Sequence, residues 1–321
     1  MNRVADDFLI RDFRKSDLPE VLNIGRLSFP EDFELTGFDA DRIKKMVNQI
    51  FGITGRIFLF MSKLFKKEPL KLLVAEVDSR VVGTTMITGQ GEVGYISTVM
   101  VHPAYRRKRI AEKLMKNAIN YIRKNKMKRA VLHVVSTNEP AKNMYTKLGF
   151  KEFEKIANII GSTNSAFKPE IVEGIQTRNF QKKDKDAVYE LIKSSEDLKH
   201  LEIYGLDEDE LENSLINRLF HFFTDEKIVA LHENRIVGYA DAVYTTAREA
   251  GHIRDIQVCP EMRTKGIEEM LIYLGIEAIK KVGAQKVTGM ISQTRSELIR
   301  AMERFGFKKH SELEGMVLEF I

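Results

Sequence analysis

Four consecutive cations, Arg106-Arg107-Lys108-Arg109, stand between an apolar run ending at Val101 and a helical pattern beginning at Ile110. A strand that ends in a short turn and opens a helix leaves several backbone N–H groups without partners. The positive end of the helix dipole lies behind them. Such a turn is an anion site. A pyrophosphate suits it, because it accepts several amide hydrogen bonds at once while arginine and lysine neutralise its charge. A basic run can also mark a nuclear-localisation or nucleic-acid patch, but the place between strand and helix, followed by Ile110-Ala111, favours the phosphate turn. The denser run from Arg123 to Arg129 falls at a helix C-terminus and reads as a solvated end favoured by the dipole.

Other chemistries lack their residues. No serine sits in a Gly-x-Ser-x-Gly elbow, and the single cysteine, Cys259, stands beside Pro260. The seven histidines form no pair at metal-ligand spacing and there is no Cys-x-x-Cys, so no metal is expected. His133, on an apolar strand, reads as a buried, hydrogen-bonded histidine.

The elements that must position the turn occur twice. Val101-His102-Pro103-Ala104-Tyr105-Arg106 is matched 157 residues later by Val258-Cys259-Pro260-Glu261-Met262-Arg263, and Leu148-Gly149-Phe150 by Phe305-Gly306-Phe307 at the same offset. A repeat that keeps its spacing over this length is a folded unit. Each half opens with a short strand and a turn, Leu9 to Phe13 or Gln176 to Phe180, and enters a helix for which Asp17 or Asp184 is the expected N-cap. Two strands follow, Leu72–Glu76 and Val81–Met86 in the first half. A third, Tyr95 to Val101, leads into the basic turn. The helix after it carries Ile110, Leu114, Ala118 and Ile122 as one stripe. The strand Ala130–Val135 then precedes a second helix opening near Asn138-Glu139-Pro140.

With the order Val-x-Pro-x-x-Arg-x-x-x-x-Ala at Val101 to Ala111, then Asn138, Ala141 and Tyr145-Thr146-Lys147-Leu148-Gly149-Phe150, the chain resembles the GCN5-related N-acetyltransferase (GNAT) family over essentially its whole length. The resemblance implies an α/β (mixed α+β) architecture of two tandem acyl-CoA N-acyltransferase folds, each a mixed, mostly antiparallel sheet flanked by helices. It implies acetyl-CoA as co-substrate, with the diphosphate on Arg106, Arg107, Lys108, Arg109, Ile110 and Ala111. The amide of Val99 would polarise the thioester carbonyl. Met100 and Val101 would run beside the pantetheine arm like an added strand, Asn138 and Ala141 would help to hold it, and Tyr145 would protonate the departing thiolate. Transfer from a thioester to an amine needs alignment, an oxyanion donor, a proton acceptor and a proton donor, and no covalent nucleophile. The acceptor is expected to be a small-molecule or peptide amine. The proton acceptor is left open among Glu31, Asp32, Glu34, Glu92 and water.

Two departures from the family pattern matter. Arg109 stands where glycine is usual, and ordinary helical dihedrals there would let its side chain swing outward. In the second copy Glu268, Met302 and Arg295 replace the small residue, the tyrosine and the asparagine. That copy is expected to be degenerate, stabilising the protein and walling the acceptor cleft.

Bulk properties fit this reading. The 321 residues allow two domains, placed at 1–162 and 170–321 with the boundary in Gly161-Ser162-Thr163-Asn164-Ser165. A net charge of +5 is too small to argue for nucleic acid. One cysteine and an opening without an apolar leader point to the cytoplasm. The apolar stretch Ile50–Leu64 is interrupted by Arg56 and Lys63 and falls short of the roughly 20 residues of a membrane span. It is expected to be a helix on a core, and the acidic run Asp207–Glu210 a helix start. Oligomeric state is not encoded in any motif. A catalytically silent acyl-CoA-binding module and a nucleic-acid-associated protein are the competing classes.

Overall fold

The computed structural model describes residues 8–31, 40–50, 70–195, 198–204, 223–245 and 249–320. Asp32, Glu34, the Ile50–Leu64 stretch beyond Ile50 and the acidic run at 207–210 lie outside them. In chain order the first half contains β1 (Leu9–Asp12), α1 (Leu18–Ser28), α2 (Ala40–Ile50), β2 (Lys71–Val77), β3 (Arg80–Gln90), β4 (Val93–Val101), α3 (Ile110–Lys124), β5 (Arg129–Val135), α4 (Glu139–Lys147) and β6 (Lys151–Ser162). The second half contains β7 (Ile175–Asn179), α5 (Lys185–Ser195), α6 (Leu198–Tyr204), β8 (Phe223–His232), β9 (Arg235–Thr245), β10 (Ala250–Val258), α7 (Ile267–Lys281), β11 (Lys286–Ser292), α8 (Ser296–Arg304) and β12 (Lys308–Glu319).

Two compact units result, and they interleave in sequence. The first takes Met1–Val134, Asn138–Phe153 and Gly315–Ile321; the second takes Val135–Thr137 and Glu154–Glu314. The division at 1–162 and 170–321 therefore describes the sequence repeat and not the spatial partition. Gly161 and Ser162, placed in the boundary segment, are the end of β6, where Gly161 pairs with Val287. A Cβ on Gly161 would sit 2.8 Å from the Phe307 ring, so this glycine serves close packing in a strand.

In the first unit the strands run β1-β2-β3-β4-β5, followed by the part of β12 from Gly315 onward. β1, β2, β3 and β4 pair antiparallel, and β4 pairs parallel with β5. The predicted stripe of α3 is its buried face: Ile110, Leu114, Ala118 and Ile122 lie in one core with Leu73, Ala75, Val82, Ile96, Ala130, Leu132 and Val134. α3 can approach the sheet closely because Gly94 lacks a side chain; a Cβ there would lie 2.6 Å from Ile122 Cγ1. Val74, Val93 and Val131 alternate with those core positions along their strands and are buried on the opposite face.

The second unit repeats the order as β6-β11-β10-β9-β8-β7, again with one parallel pair, β10 with β11. Its core includes Ile267, Leu271 and Ile279 of α7 with Val237, Ala240, Ile253 and Val287 of the sheet.

The openings of the two halves carry the same device. The Arg11 guanidinium donates to both carboxylate oxygens of Asp17, at 2.7 and 2.9 Å, and the Arg14 amide donates to Asp17 Oδ2 at 2.6 Å. Arg178, Asp184 and the Gln181 amide reproduce this at 2.5, 2.9 and 2.8 Å. Asp17 thus closes a 3-10 turn of residues 15–17 and ties it to β1; it does not cap α1 with its side chain as expected. Burial pushes the Asp17 carboxyl up, but the bonds from Arg11 and Arg14 outweigh it and hold the carboxyl below its usual range.

Candidate active site

The parallel pair β4 and β5 is joined only over Val93–Tyr95 and Arg129–Val131. Beyond this the strands separate, which frees one edge of β4 from Ile96 to Val101. On its other edge β4 pairs with β3, but the register slips: Met86 faces Ser97 and Thr84 faces Met100, so Thr98 and Val99 stand opposite Thr85 alone. Thr98 adopts φ +50°, as a bulge requires. Bulges take a residue out of the ladder and re-aim its backbone, which is the geometry that could present the Val99 amide to an incoming carbonyl.

At the end of β4, residues Pro103–Tyr105 form a 3-10 turn whose opening is held by the Ala104 amide on His102 Nδ1, at 3.3 Å. Arg107 and Arg109 follow with φ of +65° and +59°, and α3 begins. Arg109 therefore does not keep the helical dihedrals expected of it. The chain reverses from the 3-10 turn into the axis of α3, and the residue before the helix takes the left-handed conformation in both units: Gly266 has φ 84°, ψ 6° and Arg109 φ 59°, ψ 15°. Glycine adopts that state freely and arginine does not.

The helical ladder starts with the Lys113 amide on the Arg109 carbonyl, at 3.0 Å, so the amides of Ile110, Ala111 and Glu112 have no partner within the helix. Arg106 to Arg109 are exposed around them, and the buried Ile110 side chain anchors the helix end. Arg106 has a structural contact: its Nε donates to the Val101 carbonyl at 3.2 Å, as Arg263 Nε does to Val258 at 3.3 Å. The Lys108 ammonium stands 5.1 Å over the Tyr105 ring.

α4 opens at Asn138, whose Oδ1 accepts the Ala141 amide at 3.2 Å. One turn further on, Tyr145 is 6% exposed and packs at 6.0 Å from the Phe150 ring. Burial raises its phenol to about 12. It stays protonated at any physiological pH, as a hydrogen-bond donor to a thiolate must.

His133 is exposed, which corrects the expectation that it is buried. Strand periodicity is the reason: Leu132 and Val134 point into the α3 core, so His133 points to the other face. Tyr95, in register with Val131, shares that face and was passed over in the sequence. The alternation of β4 around Gly94 and Ile96 was the available signal. Of the carboxylates considered, Glu31 is exposed beside a stretch outside the described residues, and Glu92 pairs with Lys128 at 2.7 Å, at the turn that opens β4. Among the described residues no group of three or more histidine, cysteine or acidic side chains could hold a metal, and no helix is long and apolar enough to cross a membrane.

A sheet with a bulged, splayed parallel pair and a left-handed turn feeding a helix, built twice, defines an acyl-CoA-type transferase fold. The acetyltransferase (GNAT) family model matches residues 34–150 and again 186–307, and the chain belongs to that family. Among characterised relatives, an N-alpha-acetyltransferase of Sulfurisphaera tokodaii is 24% identical over 174 residues, covering 50% of this chain and 90% of the relative. The catalytic subunit of the N-terminal acetyltransferase B complex of Arabidopsis thaliana is 32% identical over 141 residues, covering 41% of this chain and 75% of the relative. Among solved structures, a tandem GNAT protein from the clavulanic acid biosynthesis pathway superposes with a TM-score of 0.68 at 15% identity, over 97% of this chain and 98% of that one. A GCN5-related N-acetyltransferase from Sphaerobacter thermophilus gives 0.67 at 16% identity, over 98% and 96%. The chain is thus an acyltransferase-family enzyme of tandem GNAT architecture.

Proposed function

We propose that the first unit transfers an acetyl group from acetyl-CoA directly to the α-amine of a peptide, with both substrates bound together. The observation that carries this is the combination in one unit of a freed β4 edge, a bulge at Thr98–Val99 and a helix N-terminus ringed by Arg107, Lys108 and Arg109. The choice of a peptide α-amine rests on the relatives, which carry that activity in their names.

In this reading the amides of Ile110 and Ala111 with the cations of the turn hold the diphosphate, and the open edge of β4 receives the pantetheine arm. The neutral amine attacks the thioester carbon, and the Val99 amide bears the charge that develops on oxygen. The C–S bond then breaks, and Tyr145 donates to the departing sulfur. The proton lost by the new ammonium passes to His133, directly or through water. A neutral imidazole has a free ring nitrogen that can accept that proton.

The test is acetyl-CoA with three peptides: one with a free N-terminus, the same sequence N-terminally blocked, and the blocked sequence with an internal lysine. Release of free CoA and a mass gain of one acetyl group with the first alone are expected. Turnover with the blocked lysine peptide alone would refute the α-amine assignment, and turnover with none would refute the enzyme.

A further inference from the structure

The second unit builds the same groove and fills it. β10 and β11 pair from Ala250–Ile253 with Lys286–Gly289 and then part, as β4 and β5 do. Arg295 opens α8 at φ −93°, ψ 55°, close to the φ −85°, ψ 65° of Asn138 at the start of α4. With the backbone the same, the side chains decide what happens next. Asn138 folds back onto its own helix. Arg295 makes no such cap and reaches across the gap, its guanidinium donating to the Ile256 carbonyl at 2.5 Å on the stretch of β10 that β11 has released.

Two further differences point the same way. Ile256, which corresponds to Val99, sits in regular register with Ala240, because the irregularity of β10 has moved to Arg254. Its amide therefore lacks the bulge that sets Val99 apart. Glu268, which corresponds to Ala111, is buried in the first turn of α7, and this burial outweighs the pull of Arg295 and Arg263 and raises its carboxyl above the usual range. The helix start that would receive a phosphate holds a buried carboxyl group of its own instead.

We infer that Arg295 and Glu268 are built-in occupants of the second unit's groove, the guanidinium in the place of the pantetheine arm and the carboxylate in the place of the diphosphate, so that one chain takes up one CoA. Arg295 and Glu268 together thereby set the chain's cofactor stoichiometry. The inference rests on the proposed reading of the first unit's groove as a CoA site.

Calorimetric titration with CoA tests it. Wild type is expected to bind one equivalent, and the double variant Glu268→Ala with Arg295→Ala to bind one more. The increment judges this inference, whereas the wild-type equivalent judges the proposed function, so the two can fail separately. Two equivalents in wild type, or no increment in a double variant shown by circular dichroism to be folded, overturns it. Hydrogen exchange of the wild-type chain covers the case of a variant that does not fold. Saturating CoA is expected to protect amides 107–112 and leave 264–269 unchanged, and protection at 264–269 overturns the inference.

Discussion

Arg109→Gly should make the apo protein more stable and its hold on CoA weaker. At φ 59° Arg109 occupies a conformation that costs an L-residue about 1–2 kcal/mol. Glycine escapes that cost but loses about 0.5–1 kcal/mol more backbone entropy on folding. The balance is a gain of about 0.5–1 kcal/mol. For a unit of this size that raises the melting temperature by about 1–4 °C. The same change removes an exposed cation from the turn. An exposed ion pair contributes at most about 1 kcal/mol, about fivefold in Kd, and the loss should shrink as salt screens the turn.

The alanine variant separates the two effects. Arg109→Ala keeps the left-handed strain and loses the charge, so it should bind CoA as weakly as the glycine variant without melting higher than wild type. Thermal scans of the three apo proteins, with CoA titrations at 50 and 300 mM salt, complete the comparison. A glycine variant that melts no higher than the alanine variant would refute the strain argument. Unchanged affinity in both would show that Arg109 does not meet a phosphate.

Tyr145→Phe should lower kcat by roughly 10²–10⁴-fold and leave CoA affinity nearly intact, as measured by turnover beside calorimetry. Because burial holds the phenol near 12, Tyr145 should contribute no alkaline limb to the rate profile below about pH 10. Asp17→Asn breaks a mostly buried pair with Arg11 and should cost the first unit about 3 kcal/mol at pH 7 by denaturant titration. Its folded pKa is depressed, so the wild-type advantage is present above the ordinary aspartate value near 3.9 and is lost as pH falls through the folded one; equal stabilities at pH 7 would refute the pairing. Glu268 has the opposite sign. Burial raises its pKa, so its favourable contribution is full at pH below the ordinary glutamate value and is lost as pH rises; Glu268→Gln should therefore gain more in melting temperature at pH 8 than at pH 4.5.

Spacing carried most of the fold into the sequence. The repeated Pro-x-x-Arg turns, the α3 stripe and the Asn138-to-Phe150 segment each lie within one or two helical turns, where period and capping chemistry act locally. What stayed hidden depended on partners far along the chain. Gly161 resembles a turn residue until Phe307 is brought against it, and β12 divides its length between two units for reasons no local pattern carries. His133 is exposed although its strand is apolar, because alternate positions of the strand face two different surroundings. The conformation of Arg109 was within reach, since Gly266 at the matching position of the other copy marks a left-handed site.

If the second unit's groove is closed to CoA as inferred, the comparison of the two units separates changes that silence such a site from features that do not. The left-handed turn, the arginine pinned to the end of the bulged strand, the parted parallel strands and the backbone at residues 138 and 295 are all kept in both copies. These features hold the fold together, so they persist whether or not a ligand is bound. Among the described residues, the differences that bear on the groove lie in side chains and in the register of a single residue: Arg295 for Asn138, Glu268 for Ala111, Met302 for Tyr145, and the irregularity at Arg254 in place of the bulge at Thr98–Val99. Each removes a donor or fills a space and leaves the core intact. If that division between scaffold and chemistry is right, exchanging Asn138 for Arg in the first unit should abolish CoA binding while lowering the melting temperature by no more than about 2 °C. A loss of fold instead would mean that the groove and the scaffold cannot be separated.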